Sequence, residues 1–199
     1  MTENAVAALR RGEALVVPTD TVYGLVATAF RDDAALRLYR IKGRQPQQPL
    51  ALMAADVDAL LELVPELRGR AGVIARALLP GPYTLVLPNP AHRYRWLTGN
   101  RPETIGVRVS ELPEPTATIL RKVGGFASTS ANLSGGPDPA RPVDLSPELR
   151  DAVAAVIEGG ELPGTPSTVI DFSESEPRVL REGAAPGTEA IERALAAAR

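Results

Sequence analysis

Residues 14–25 read Ala14-Leu15-Val16-Val17-Pro18-Thr19-Asp20-Thr21-Val22-Tyr23-Gly24-Leu25. Four apolar residues run into a proline, which has no N–H to give to a ladder, so a short buried strand ends at Val17. Two hydroxyls, a carboxylate and a phenol then crowd into the next five residues, Thr19 to Tyr23. Ligands of α/β proteins sit beyond strand ends. A capped turn, with Asp and Thr side chains bonded to nearby amides, uses the same residue types. On this stretch alone both readings stand.

Strand and helix patterns mix on either side of it. Thr2 caps a helix that runs through Arg10 and stops at Gly12. Asp32 or Asp33 opens a second helix, with Ala35, Leu36, Leu38, Tyr39 and Ile41 as its apolar positions. Leu50 to Met53 reads as a buried strand. Asp56 caps a helix containing Val57, Leu60, Leu61 and Val64, and Pro65 separates it from another that runs to about Leu79. Tyr83–Leu87, Ile105–Val109 and Phe126–Thr129 read as strands, with a helix at Thr116–Val123. Ala152–Ile157, Ser167–Phe172 and Arg178–Leu180 read as further strands, and Gly187–Ala198 as a terminal helix capped by Thr188. The class is α/β. The irregular alternation does not specify a simple doubly wound parallel sheet. With no internal repeat and no clear linker, the expectation is one domain over residues 1–199.

Composition narrows the function classes. The chain has 199 residues, 44% of them hydrophobic and 23% charged, enough for one sizeable core. Its 22 basic and 24 acidic residues give a net charge of −2, so a polyanion has to be met by a local basic cluster rather than a basic surface. Cysteine is absent, which removes disulfides, zinc-thiolate sites and a cysteine nucleophile. The start of the chain has no long apolar run, and no segment approaches the ~18 apolar residues of a membrane span. The expectation is a soluble cytoplasmic protein.

Familiar catalytic signatures are missing. There is no G-x-x-x-x-G-K-[ST] loop and no G-x-G-x-x-G after a strand. The single histidine, His92, lies in a polar segment and reads as an exposed loop residue, so two-histidine metal sites and Ser-His-Asp triads are not expected.

The chemistry that is present favours anions. Lys42-Gly43-Arg44-Gln45-Pro46-Gln47-Gln48-Pro49-Leu50 sets a point charge and a planar fork around a glycine, in a loop stiffened by two prolines. Favourable charge at a helix C-terminus explains Lys42, but not the rigid loop after it. Pro80-Gly81-Pro82 reads as a stiff turn feeding a strand. Thr104-Ile105-Gly106-Val107-Arg108-Val109 carries an arginine in an apolar strand, which either faces a polar cavity or forms an internal ion pair. Ser128-Thr129-Ser130-Ala131-Asn132-Leu133-Ser134-Gly135-Gly136 gathers small hydroxyl and amide groups at a strand end, a phosphate cradle without charge. Ser167-Thr168-Val169-Ile170-Asp171 and Val179-Leu180-Arg181-Glu182-Gly183 add a hydroxyl and an arginine. Lys42, Arg44, Ser130, Asn132 and Arg181 together suit a nucleotide phosphate and a small anionic partner.

In this order, PTDTVYGL, the K-x-R loop ending in PL, PGPYTL, VRV, SANLSG, STVID and LREG resemble the YrdC family of threonylcarbamoyl-AMP synthases, over residues 18–183. The resemblance implies a twisted mixed sheet with helices enclosing a positively charged concave cavity, in the short form without an additional C-terminal domain. It implies that ATP, L-threonine and bicarbonate give threonylcarbamoyl-AMP and pyrophosphate, for the threonylcarbamoyl modification of tRNA. Lys42 and Arg44 would be the catalytic pair. Thr21, Arg108 and Ser167 would meet threonine, with Arg108 on its carboxylate. Arg44, Gln48, Thr104, Ser130, Asn132 and Arg181 would meet the nucleotide. Mg²⁺ would enter with ATP, no protein metal site is implied, and a tRNA or a tRNA-modification transferase would be the partner. Gln48 replaces a common asparagine. Met53, Asp138 and Pro166 stand where a histidine, a serine and a glutamate are frequent.

The implied reaction has a carbamate of threonine attacking the α-phosphorus of ATP. All reactants are anionic, so the protein's main task is to gather them and offset their repulsion. Two other readings remain at this point. One is a non-catalytic RNA-binding module of the same fold, in which His92-Arg93-Tyr94-Arg95-Trp96 stacks on unpaired bases. The other is a paralogous enzyme that activates a different amine, which Met53 and Asp138 permit.

Overall fold

The computed structural model describes residues 2–199. Its elements run α1 Thr2–Arg10, β1 Leu15–Val17, β2 Gly24–Thr28, α2 Asp32–Lys42, β3 Ala51–Met53, α3 Val57–Leu63, α4 Arg70–Leu78, β4 Tyr83–Pro88, β5 Thr104–Arg108, α5 Thr116–Val123, β6 Phe126–Ser130, α6 Pro147–Ala152, β7 Ala155–Val156, β8 Thr168–Asp171, β9 Arg178–Arg181 and α7 Gly187–Ala197. The strands form one sheet in the order β7-β1-β2-β6-β3-β5-β4-β8-β9. Strands β1 and β7, β3 and β5, and β4 and β8 pair in parallel, while the other neighbours are antiparallel. The irregular alternation of elements in the sequence is thus a mixed sheet.

Alternation along the strands separates its two faces. Leu25, Ala27, Leu52, Leu85, Val107 and Ile170 point to one side, where they join the buried core beneath α2, α3, α4 and α7. On the other side Leu15, Val17, Val26, Met53 and Phe126 pack under α1 and α5, against Val6, Leu9, Ile119 and Leu120. That second cover stops short. Beyond it, toward β4, β8 and β9, the same face carries Ala51, Gly106, Thr84 and Ser128, which are small and leave a hollow.

Several expected elements need correction. Strand β2 falls where the sequence reading assigned no element; all five of its residues are buried, so no apolar–polar alternation marks it. Residues 152–157 are not one strand. Ser146 accepts a bond from Leu149 N and Pro147 holds the first helical position, so α6 runs to Ala152 and only Ala155–Val156 pair with β1. The helix expected from Pro65 to Leu79 is a 3-10 turn, Pro65–Leu67, followed by α4. Thr188 lies within α7, whose flanking residue is Pro186. Thr2 is the first residue of α1 rather than a flanking cap.

Two ties hold the loops around the hollow. At the end of α2, Lys42 is only 4% exposed. Its Nζ donates to the Ser130 carbonyl at 2.6 Å and to Asn132 Oδ1 at 2.7 Å. Ser130 Oγ donates to the same Asn132 oxygen, and Asn132 Nδ2 donates to the Gly136 carbonyl. One buried ammonium thereby fixes the loop after β6 to the end of α2. The second tie joins the Gln47–Leu50 segment to residues 97–100. Leu50 N donates to the Leu97 carbonyl at 2.8 Å and Asn100 N to the Gln47 carbonyl at 3.3 Å. Gly99 sits between them at φ +63°, and a Cβ there would lie 2.3 Å from the Gln47 oxygen.

Gly99→Ala should therefore cost ~1–3 kcal/mol of backbone strain and lower the thermal midpoint by roughly 3–10 °C. An unchanged midpoint would mean that the two loops do not press together. For Lys42, burial first and the Arg44 charge second push the pKa from 10.5 to about 8, against the pull of Asp138. Between pH 8 and 10.5 the unfolded chain then binds more protons at this site than the native one, so stability rises with pH there. The charging penalty is fully present below that window. In urea unfolding, the wild type should gain on Lys42→Met by up to about 1.4 kcal/mol per pH unit across it. A pH-independent difference between the two would show an unperturbed lysine.

Candidate functional site

The hollow is a cavity of about 340 Å³, within the size range of small-molecule sites. The sheet forms its floor, and two features of the sequence make it hollow. Small residues on that face of β2, β3, β5 and β6 keep the floor low. The prolines and glycines between elements raise loops at its edges, among them residues 44–50, 98–101 and 166–167. Four arginines line it, Arg44, Arg101, Arg108 and Arg181, and no carboxylate is among the lining side chains.

Three of these arginines are each held by part of the guanidinium. Arg44 Nε donates to Gln48 Oε1 at 2.6 Å and Nη1 to Thr129 Oγ1 at 3.3 Å. Arg181, on β9, donates from Nε and Nη2 to the Ser167 carbonyl at 3.2 and 2.7 Å. Arg108, on β5, donates from Nε to Ser110 Oγ at 2.9 Å, and from Nη2 to Thr21 Oγ1 at 2.7 Å and to the Asp20 carboxylate. Each retains one terminal nitrogen that takes no part in these contacts. Burial, with Arg181 adding like charge, lowers the pKa of both Arg44 and Arg108; Tyr39 and Asp20 respectively oppose the shift. Like charges converging in a partly desolvated hollow stabilise a bound anion.

Arg108 satisfies both expectations for an arginine in an apolar strand. It forms an ion pair with Asp20 and it faces the cavity. The pair also explains the loop after β1, because Asp20 and Thr21 reach over the sheet to the β5 guanidinium. Thr19 Oγ1 donates to the Val22 carbonyl at 2.7 Å and closes the turn. Tyr23 belongs to the scaffold. Its buried phenol donates to the Gly160 carbonyl and accepts from Gly159 N.

Of the residues singled out in the sequence, Arg44, Thr104, Arg108, Ser130, Ser167 and Arg181 line the cavity together. Thr21 stands behind Arg108, and Gln48 behind Arg44. Lys42 and Asn132 are bonded to each other and lie outside the lining. The lysine's geometry is that of a strut under Ser130 rather than of a group open to the cavity. Met53 and Pro166 line the cavity, and Asp138 is close enough to Lys42 to act on its charge. Sequence reading missed Arg101 and Thr84, whose Oγ1 lies 2.9 Å from Ser167 Oγ. Register could have found Thr84, since it lies two residues before Val86 on the same face of β4.

Other expected ligand groups are used internally. Trp96 Nε1 donates to the Ala29 carbonyl at 2.9 Å, and its ring packs edge-on to Tyr94 at 6.0 Å. Arg93 pairs with Glu66. The Tyr94 and Trp96 rings are therefore packed against the protein instead of being held out for stacking. Among the described residues, no three His, Asp or Glu side chains come together as a metal-binding set, and no helix is long and apolar enough to cross a membrane.

Known proteins share both sequence and fold with this chain. The family model described as "Telomere recombination", for Sua5, YciO and YrdC, matches residues 7–183. A threonylcarbamoyl-AMP synthase of Pyrococcus abyssi is 35% identical over 188 residues, which is 94% of this chain and 55% of that protein. The chain spans about half the length of the first curated relatives it matches. The structure of P. abyssi Sua5 complexed with L-threonine superposes with a TM-score of 0.81 at 33% identity, covering 98% of this chain and 57% of that one. Escherichia coli YciO superposes at 0.80 with 30% identity, covering 93% of this chain and 90% of that one. By sequence and by fold, the chain belongs to the Sua5/YciO/YrdC family.

Proposed function

We propose that the chain is a threonylcarbamoyl-AMP synthase, forming threonylcarbamoyl-AMP and pyrophosphate from ATP, L-threonine and bicarbonate. One observation carries the reading: Arg44, Arg108 and Arg181 converge on a single small cavity that has no carboxylate in its lining. Every reactant of such a synthase is an anion or contains a carboxylate, and gathering them is the main barrier. The names of the relatives, and the threonine bound to P. abyssi Sua5, support the same substrates.

The roles follow from position. The free terminal nitrogen of Arg108 suits the threonine carboxylate, with Ser167 and the Thr21 hydroxyl beside it. Arg44, Ser130 and Arg181 suit the phosphates, and Thr104 the remainder of the nucleotide. Gln48 aims Arg44, while Lys42 and Asn132 hold Ser130 in place. The threonine amine and bicarbonate give a carbamate and water. A carbamate oxygen then bonds to the α-phosphorus of ATP as the bond to pyrophosphate breaks. A carbamate oxygen is already nucleophilic, so no general base is required. The arginines offset the charge that builds on the transferring phosphoryl group. Mg²⁺ accompanies ATP as part of the substrate. The product serves the threonylcarbamoyl modification of tRNA through a transferase partner.

Met53 is directly paired with Arg108 in the sheet and gives the amino-acid end of the cavity an apolar wall. That observation favours a second reading, an amine other than threonine, and the same assay decides between the two. Pyrophosphate release from ATP should require bicarbonate together with threonine and should exceed that with other amino acids. Release indifferent to threonine would undo the reading. Arg44→Ala should fold normally, because its partners are side chains at the cavity edge, and should lose about 100- to 1000-fold in turnover.

A further inference from the structure

Arg101 is the one lining arginine with no role in the scheme above. It differs from the other three in how it is held. Nη1 donates to Asp171 Oδ2 at 3.2 Å, Nη2 to Ser173 Oγ at 3.4 Å and Nε to Glu103 Oε1 at 3.4 Å. All three nitrogens along the edge of the guanidinium are therefore engaged. Asp171 is itself 1% exposed and accepts two further bonds from Ser173. Burial opposes its charge, yet the bonds from Ser173 and Arg101 hold its pKa below the usual carboxylate range. The backbone is fixed as well, with the Arg101 carbonyl accepting from Thr104 N at 3.0 Å.

A guanidinium whose edge is occupied has its flat face left to offer. Such faces stack on aromatic rings and on nucleobases. The cavity lining includes flat and apolar groups, Pro49, Leu50, Val86 and Leu180, together with the hydrogen-bonding side chain of Asn100. Arg101 precedes β5, whereas Arg108 ends it. The four steps from Thr104 to Arg108 span about 13 Å along the strand. The two arginines thus mark opposite ends of the cavity floor, with Arg44, Ser130 and Arg181 among the groups lining the remainder.

We infer that Arg101, locked at its edge by Asp171 and Ser173, is the platform on which the base of the nucleotide stacks. Asp171 is then a positioning residue that acts through Arg101. The inference rests on the reading of the cavity as an ATP site, and it gives that site a direction: base at the start of β5, amino acid at its end.

The test compares binding of Mg-ATP and of inorganic tripolyphosphate to the purified chain and its variants, with thermal unfolding as the check on folding. Arg101→Ala should weaken ATP binding about 5- to 100-fold and leave tripolyphosphate within about twofold. Because it also strands the buried Asp171, Arg101→Lys is the decisive companion. It keeps a charge opposite Asp171 and removes the plane, so it should lose ATP affinity like alanine. Asp171→Asn should weaken ATP in the same direction by less, again sparing tripolyphosphate. Arg44→Ala should weaken both ligands. Full ATP affinity in Arg101→Lys would overturn the inference in favour of simple charge. Equal losses for ATP and tripolyphosphate in Arg101→Ala would make Arg101 a phosphate ligand instead. Unchanged ATP binding in Arg101→Ala would remove its role while leaving the ATP reading intact. An unaltered Asp171→Asn would remove the positioning role. A wild type that binds no ATP would remove the ATP reading, and this inference with it.

Discussion

A sheet of nine strands has two faces to shield from water, and these helices cover one along its length and the other only at one end. On the side under α1 and α5 the strands carry large apolar groups such as Phe126, Val26 and Met53. Past the edge of those helices the same face carries small residues, Ala51, Gly106, Thr84 and Ser128, with Val86 and Val169 beside them. Small and hydroxylated residues tolerate an uncovered position that leucine or phenylalanine would not. The cavity is therefore the uncovered remainder of a layer, and its location follows from where α1 and α5 stop.

An uncovered floor still needs walls, and here the walls carry charge. Four arginines converge on it: Arg44 and Arg181 are steadied by neutral oxygens, whereas Arg108 is paired with Asp20, and Arg101 with Asp171 and Glu103. Holding like charges together costs stability in the unliganded protein. Lys42 adds a further buried charge and is answered by a carbonyl and an amide oxygen instead of an acid. Such an arrangement is under-neutralised by construction, and a bound anion relieves it.

Much of this could be read from the sequence, and the rest could not for physical reasons. Helix α3 was legible because Asp56 caps it through the Ala59 amide. Strand β2 was hidden because it is buried on both faces. Helix α6 was hidden because the Ser146-Pro147 start signal lies in a proline-rich stretch and the helix is one and a half turns long. In the site, motifs picked out Arg44 from its loop after α2, and Arg108, Ser130 and Arg181 from their strand-end positions, and all four line the cavity. They could not say that Lys42 turns beneath Ser130, since a lysine stem reaches either way. Nor could they find Arg101, whose guanidinium is held in the cavity wall by a carboxylate 70 residues later in the chain.

Arg181 lies on β9, which pairs only with β8 at the rim of the sheet, and it is anchored to Ser167 just before that neighbour. Residues from Thr19 onward contribute to the same hollow. A ribosome making this chain thus releases the opening stretch of the cavity roughly 160 residues before it releases Arg181. During synthesis the growing polypeptide holds most of the floor and an incomplete ring of charge. Strand β9 completes that ring, so the pocket acquires its full complement of arginines only once residue 181 has been made.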